Sequence, residues 1–146
     1  MFLGQYQHSI DSKGRLTIPA RFRDMLEEGA FITQGFDRCL MVMTAQYFKQ
    51  VYERINAMNL ADPDARLLRR LIISNAYPIA ADKAGRILLP QNLRDFLNIS
   101  NNATVAGQGD YFEIWQPELW NEQMAQTQNP EANNERFKAL DLSKQE

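Results

Sequence analysis

A chain of 146 residues, 45% of them hydrophobic, fits one ordinary domain or two small intertwined ones with enough apolar material for a shared core. Its single cysteine excludes an internal disulfide, and no uninterrupted apolar segment approaches membrane-spanning length. The formal net charge of −2 gives no overall attraction to a polyanion, so any such attraction must come from uneven placement of charge.

The opening Met1-Phe2-Leu3-Gly4-Gln5-Tyr6-Gln7-His8 lacks the basic start and long apolar run of a secretory signal, and a cytoplasmic protein is expected. Residues 5 to 10 alternate, with Tyr6, His8 and Ile10 on one face. Residues 15 to 18 form a second β-capable run, so the two read as a hairpin whose turn is Asp11 to Gly14. Pro19 ends the strand and suits the first position of a short helix, in which Phe22, Met25 and Leu26 share one face while Arg21, Arg23 and Asp24 point elsewhere. Gly29 stops that helix. Strands are expected at 31 to 34 and 39 to 43, joined by Gly35-Phe36-Asp37-Arg38. A helix near 45 to 58 carries a stripe of Phe48, Val51, Tyr52 and Ile55. Asp62-Pro63 caps another, near 63 to 74, that directs Leu67, Leu68, Leu71 and Ile72 inward.

The segment Asp11-Ser12-Lys13-Gly14-Arg15-Leu16-Thr17-Ile18-Pro19 then returns, 71 residues later, as Asp82-Lys83-Ala84-Gly85-Arg86-Ile87-Leu88-Leu89-Pro90. The following helix repeats as well, with Pro90, Leu93, Phe96 and Leu97, and the Ser100-Asn101-Asn102 group ends it. Tyr77 matches Tyr6. With one inserted residue Gly35 falls on Gly107, Leu40 on Phe112, Val42 on Ile114 and Met43 on Trp115, which puts strands at 103 to 106 and 111 to 115. Each repeat is therefore β-β-α-β-β. A unit of about 55 residues is marginal alone, so the halves are expected to fold around each other as an α+β protein. Pro117 opens a helix holding Leu119, Trp120 and Met124. Beyond Gln126 the chain turns polar, with only Phe137, Leu140 and Leu142 as anchors, and a flexible, weakly docked tail is expected. The expected divisions are residues 1–58, a linking helix at 59–75, residues 76–126, and the tail at 127–146.

Enzymatic constellations are missing from the sequence. It has no Gly-rich phosphate loop, metal-ligand spacing or nucleophile elbow, and no cofactor or small-molecule substrate is expected. The lone His8, beside Ser9 and near Asp11, lies on an alternating strand where such neighbours diverge rather than converge. Cys39 sits in an apolar run and reads as a small buried thiol.

Charge is more informative. Residues 66 to 94 contain Arg66, Arg69, Arg70, Lys83, Arg86 and Arg94 against only Asp82, whereas the chain from Asp95 onward is acidic. Both repeats carry Asp-x-x-x-Arg in the turn. In one reading this is structural: Asp caps backbone donors and Arg closes a cross-turn ion pair. In the other, Asp orients an arginine that is offered outward. Lys13, Lys83, Arg21, Arg23 and Arg94 favour the second, because guanidinium groups make bidentate contacts to phosphate or guanine and a two-stranded ribbon fits the major groove.

At Met1-Phe2-Leu3-Gly4, Asp11 to Pro19 and Asp82 to Ile87 the chain resembles the MraZ family of cell-division-cluster transcriptional regulators, over roughly residues 1 to 126. The resemblance implies a double AbrB-like swapped-hairpin β-barrel with flanking helices, built from two interleaved repeats. It also implies a ring-shaped homo-oligomer, association with the nucleoid, and repression through double-stranded DNA, at short direct repeats ahead of the protein's own operon. The family's DNA-binding motif falls on Asp11, Lys13 and Arg15, and on Asp82, Lys83 and Arg86. Arg21, Arg23 and Arg94 then serve as phosphate contacts. The second copy has Ala84 where the first has Lys13, with Lys83 one position earlier, so the two copies are not equivalent.

Two other readings stay open. The acidic stretch after Glu118 fits a protein-binding module that masks a toxin. Arg66, Arg69 and Arg70 fit a ring-forming scaffold in which they face a neighbouring subunit's acids.

Overall fold

The computed structural model describes residues 1–142. The first repeat supplies β1 (Gln5–Ser9), β2 (Arg15–Thr17), α1 (Ala20–Met25), β3 (Ala30–Gln34) and β4 (Cys39–Thr44). Two helices follow, α2 (Ala45–Asn56) and α3 (Pro63–Ile72). The second repeat is β5 (Tyr77–Ile79), β6 (Arg86–Leu88), α4 (Gln91–Leu97), β7 (Asn102–Gly107) and β8 (Tyr111–Trp115), trailed by α5 (Pro117–Ala125) and α6 (Pro130–Phe137).

A six-stranded antiparallel sheet runs β1-β7-β8-β4-β3-β5, and β2 and β6 form a separate two-stranded ribbon. Exchanging each strand for its counterpart in the other repeat reverses the six-strand order without changing it, so the backbone has an internal pseudo-two-fold axis. Two cross-repeat pairs lie on that axis: Leu16 opposite Ile87 in the ribbon and Met41 opposite Glu113 in the sheet. Leu16 and Ile87 are fully buried in the main core. Truncating either to alanine would cost about 2–5 kcal/mol.

The expected hairpin is corrected. Its turn forms, with Asp11 N–H donating to Arg15 O at 3.0 Å and Gly14 N–H to Asp11 O at 3.0 Å. Past a single bridge between Ile10 and Leu16 the strands part, β1 to pair with β7 and β2 with β6. The turn glycines complete the exchange: Ile18 N–H donates to Gly85 O and Leu89 N–H to Gly14 O, both at 2.9 Å. Crossing over lets each repeat bury apolar surface against the other that it could not bury by closing on itself.

Tyr6 and His8 point inward as their alternation requires, with Ile10 buried. The aromatic centre of the core is Phe2, Phe22 and Phe112, with ring centroids 5.1–5.2 Å apart, and Tyr6 stands edge-on to Phe22 at 5.6 Å. Cys39, Ala106, Trp115 and Trp120 form a second cluster, against which Leu119 and Met124 pack from α5.

Several local expectations shift. Pro19 stands one position before the helix and accepts the Arg23 N–H through its carbonyl. The second short helix stops at Asn98, which takes the left-handed conformation (φ 53°), ahead of the Ser100-Asn101-Asn102 group. Asp62 caps α3 as expected, its Oδ1 accepting the Asp64 N–H at 2.9 Å. Leu67 and Tyr52, placed inward by periodicity, are exposed, because α2 and α3 are covered on one narrow flank only. The strand registers make Ile32 equivalent to Val105, so Gln34, not Gly35, corresponds to Gly107; the β7–β8 turn is one residue shorter than the β3–β4 turn. Within the expected tail the chain forms α6, none of whose residues is buried. In α6, Asn129 caps Glu131 and Ala132, and Asn133 and Arg136 bond back to Thr127 O and Gln126 O. Phe137, Leu140 and Leu142, the expected anchors, are exposed, and the end of the expected tail, 143 to 146, lies outside the described residues. No described helix is long and apolar enough to cross a membrane.

Candidate nucleic-acid interface

The ribbon and its two turns bring the sequence-predicted residues into one surface. Each turn is organised by its aspartate. Asp11 Oδ1 accepts the Lys13 N–H at 3.0 Å and the Arg15 N–H at 2.9 Å, which leaves Oδ2 for Arg15 Nε at 2.6 Å. Asp82 repeats the arrangement with the N–H groups of Ala84 and Arg86, both at 2.9 Å, and Arg86 Nε at 3.0 Å. The backbone donor four residues on is the main reason each carboxyl is held below its ordinary range, with its arginine's charge and side-chain bond adding to it. Gly14 and Gly85 take φ of +83° and +78°, where an L side chain is disfavoured.

The aspartates hold the arginines at one end only. Strand alternation sends Leu16 and Ile87 into the core and Arg15 and Arg86 to the opposite face, where their side chains keep 34% and 30% of their exposure. Both bonds within the turns use Nε. Among the described residues Arg15 makes no bond through its terminal nitrogens, while Arg86 Nη1 reaches across to Asp11 Oδ2 at 3.4 Å. The two copies therefore differ: Asp11 serves both arginines and Asp82 only its own. Two guanidinium forks stand on a two-stranded ribbon, each aimed by a carboxylate and each with donors open to solvent. Such forks can grip a phosphate or the O6/N7 edge of guanine.

Lys13 and Lys83 are exposed on the turns, and Arg21 is exposed on α1. Arg23 and Arg94 are placed differently from Arg21. Each lies half-buried over the turn glycine of the other repeat, Arg23 against Gly85 and Arg94 against Gly14, and Arg94 Nη2 also bonds Gln91 Oε1. Arg66 and Arg69 lie outside the site and bond locally to Leu60 O and Asn56 Oδ1. His8 is half-buried, and burial lowers its pKa. No three His, Cys, Asp or Glu side chains among the described residues are grouped to hold a metal ion.

Thr17 and Leu88, not among the residues expected from the motif, stand beside the arginines. In the ribbon Arg15 faces Leu88 and Thr17 faces Arg86, so all four share the outward surface. The signal was available, since the alternation that turns Arg15 outward does the same for the residue two positions on.

A family model described as "MraZ protein, putative antitoxin-like" matches residues 1–71 and again 72–141. The chain is 47% identical over 120 residues to the Transcriptional regulator MraZ of Roseiflexus castenholzii, covering 82% of this chain and 84% of that protein. The same coverage and 47% identity relate it to the protein of that name in Herpetosiphon aurantiacus. For the Carboxydothermus hydrogenoformans protein of that name the identity is 42% over 121 residues, or 83% and 85% of the two chains.

Proposed function

The chain belongs to the MraZ family, and on that footing we propose that it is a sequence-specific DNA-binding transcriptional regulator that represses its own cell-division and cell-wall operon. The observation that carries the reading is the pair of carboxylate-aimed arginines on the outward face of one ribbon. Arg15 and Arg86 read base edges in the major groove, Asp11 and Asp82 fix their forks, Lys13 and Lys83 meet flanking phosphates, and Arg21 extends the phosphate track. Arg23 and Arg94 support the turns. The cross-repeat pairing favours an AbrB-like double swapped-hairpin barrel as the platform.

One subunit offers few basic contacts, and each neutralised phosphate makes binding sensitive to salt. Useful affinity then comes from a ring of subunits engaging short direct repeats at once, at the nucleoid, with boxes recurring about one helical turn, roughly 10 base pairs, apart.

A shift assay on the DNA upstream of the coding region, with Arg15→Ala, Arg86→Ala and the double variant, tests the reading. Each arginine is expected to contribute about 1–3 kcal/mol of binding. Undiminished binding by the double variant removes these residues from the mechanism, and a monomer by light scattering at micromolar concentration removes the ring.

The exposed Phe137, Leu140 and Leu142 favour a second role for the tail, in holding a protein partner. Pull-down with and without residues 127 to 146 tests it: a stoichiometric partner lost with the tail supports it.

A further inference from the structure

We propose that Leu88 reads a thymine methyl group within one or two base steps of the base contacted by Arg15, an inference that rests on the DNA-binding reading above. Leu88 is 57% exposed, more open than the arginines on either strand of the ribbon. Its sequence neighbours Ile87 and Leu89 are 0% and 2% exposed and already supply the strand's share of the core. The fold therefore has no use for an apolar side chain at position 88. A lone exposed leucine is unremarkable on most surfaces. Here, however, it stands directly across the ladder from Arg15, two residues from Arg86, on the face that carries both forks.

The chemistry of that face narrows what can cover it. A protein partner burying Leu88 would have to present acceptors to two guanidinium forks on either side of an apolar contact. A major groove suits both kinds of group, because the acceptors of guanine lie a step or two from the thymine C5-methyl, an apolar group on a polar edge. Residues opposite each other in an antiparallel pair have Cα atoms about 4.5–5.5 Å apart, and successive bases rise about 3.4 Å. The thymine thus lies within one or two base steps of the guanine that Arg15 reads.

The counterpart of Leu88 in the first repeat is Thr17, smaller and half-buried, across from Arg86. A ribbon two-fold in its backbone is therefore unequal in its reading groups. One half pairs a loosely held arginine with leucine, the other a doubly held arginine with threonine. Such a reader distinguishes the two directions along a duplex and takes a non-palindromic site.

The test uses the full-length protein to select duplexes from a random-sequence library. The enriched duplex is then resynthesised with each thymine replaced singly by deoxyuridine, which removes only the methyl. One replacement per site is expected to weaken the wild type about fourfold, the effect of one buried methyl-sized group. Leu88→Ala should bind less tightly and be indifferent to that replacement, while Leu88→Met retains the sensitivity. The position is exposed, so circular dichroism should show all three proteins equally folded. A deoxyuridine profile in Leu88→Ala identical to that of the wild type overturns the inference, as does a wild type sensitive to no thymine. If the wild type enriches nothing, or the Arg15→Ala/Arg86→Ala double variant binds the selected duplex unimpaired, the DNA-binding reading itself falls, and Leu88 with it.

Discussion

The Arg94 guanidinium occupies the space that a side chain on Gly14 would fill, and Arg23 stands in the same relation to Gly85 across the pseudo-two-fold axis. Each Asp-x-x-x-Arg turn is thus covered by a helix of the other repeat. Substituting Gly14 by alanine sets two costs in competition, a backbone at φ +83° and an overlap with Arg94. The overlap involves the far end of a flexible side chain, which can swing aside, so the backbone decides. Gly14→Ala is expected to lose about 1–2 kcal/mol. Adding Arg94→Ala should recover little of it, and a double-mutant cycle by urea unfolding reads the coupling. A coupling above about 1 kcal/mol would show that Arg94 is held rigidly against the turn.

Acid should act through the same turns. Asp11 and Asp82 have folded pKa values below the ordinary carboxylate range, chiefly because the Arg15 and Arg86 backbone N–H groups bond their charged forms. A depressed acid stabilises the fold above its unfolded pKa of about 3.9. That contribution fades as pH falls through the lower folded values. Urea midpoints measured between pH 2 and 5 should therefore decline more steeply for the wild type than for Asp11→Asn/Asp82→Asn. The variant keeps a side-chain oxygen for the backbone donors but has no carboxyl to titrate. Parallel curves for the two proteins would place the acid sensitivity elsewhere.

Much of this arrangement was legible in the chain. The duplicated Asp-x-x-x-Arg and the turn glycines marked the β-β-α-β-β units, while the direction of both arginines stayed open between an ion pair within the turn and an outward fork. Strand partners were not legible. Local alternation says which side of Leu16 is apolar but not whether β2 will pair along β1 or with β6, and that choice is made by the shared core. For the same reason Arg23 and Arg94 read as free cations beside Arg21. Their position over the opposite glycines is a contact between residues 62 and 80 positions apart, invisible to spacing within either repeat. Leu67 and Tyr52 failed from the other direction, since a periodic stripe marks a face that could be buried, and the fold covers only part of it.

Cys39 offers a probe of opening that leaves the ribbon and its two turns untouched. Its thiol is fully buried, donates to Glu113 Oε2 at 3.5 Å, and has its pKa pushed far up, first by burial and then by the Glu113 charge. The thiolate that reacts with disulfide reagents is therefore scarce in the folded chain. Modification by such a reagent at pH 8 is expected to run at least about a hundredfold slower in native buffer than in denaturing urea, and to follow global unfolding as urea is raised. Fast labelling without denaturant would mean that β4 detaches from β8 locally, at the edge of the second cluster.

Gly107 presents the opposite case from Gly14, because what a β-carbon would strike is backbone. The carbonyl of Phe2 lies in its path, and that peptide cannot yield. Phe2 N–H donates to Gly109 O at 2.8 Å, Phe2 O accepts the Gly109 N–H at 2.9 Å, and the ring is locked between Phe22 and Phe112. Nothing about φ disfavours alanine at 107, so a loss of stability there measures crowding alone. Gly107→Ala is expected to cost about 1–3 kcal/mol, lowering the melting temperature by about 2–4 °C for each kcal/mol. Gly109→Ala is the matched control, with a backbone at φ +87° but open space around the new carbon. It carries the strain without the collision. In Gly107→Ala the displaced segment should also lose amide protection at Phe2 and Gly109, which the control keeps. Hydrogen exchange on the two variants tells crowding from strain, and equal protection in both would show that the N-terminal segment is not pinned as its bonds imply.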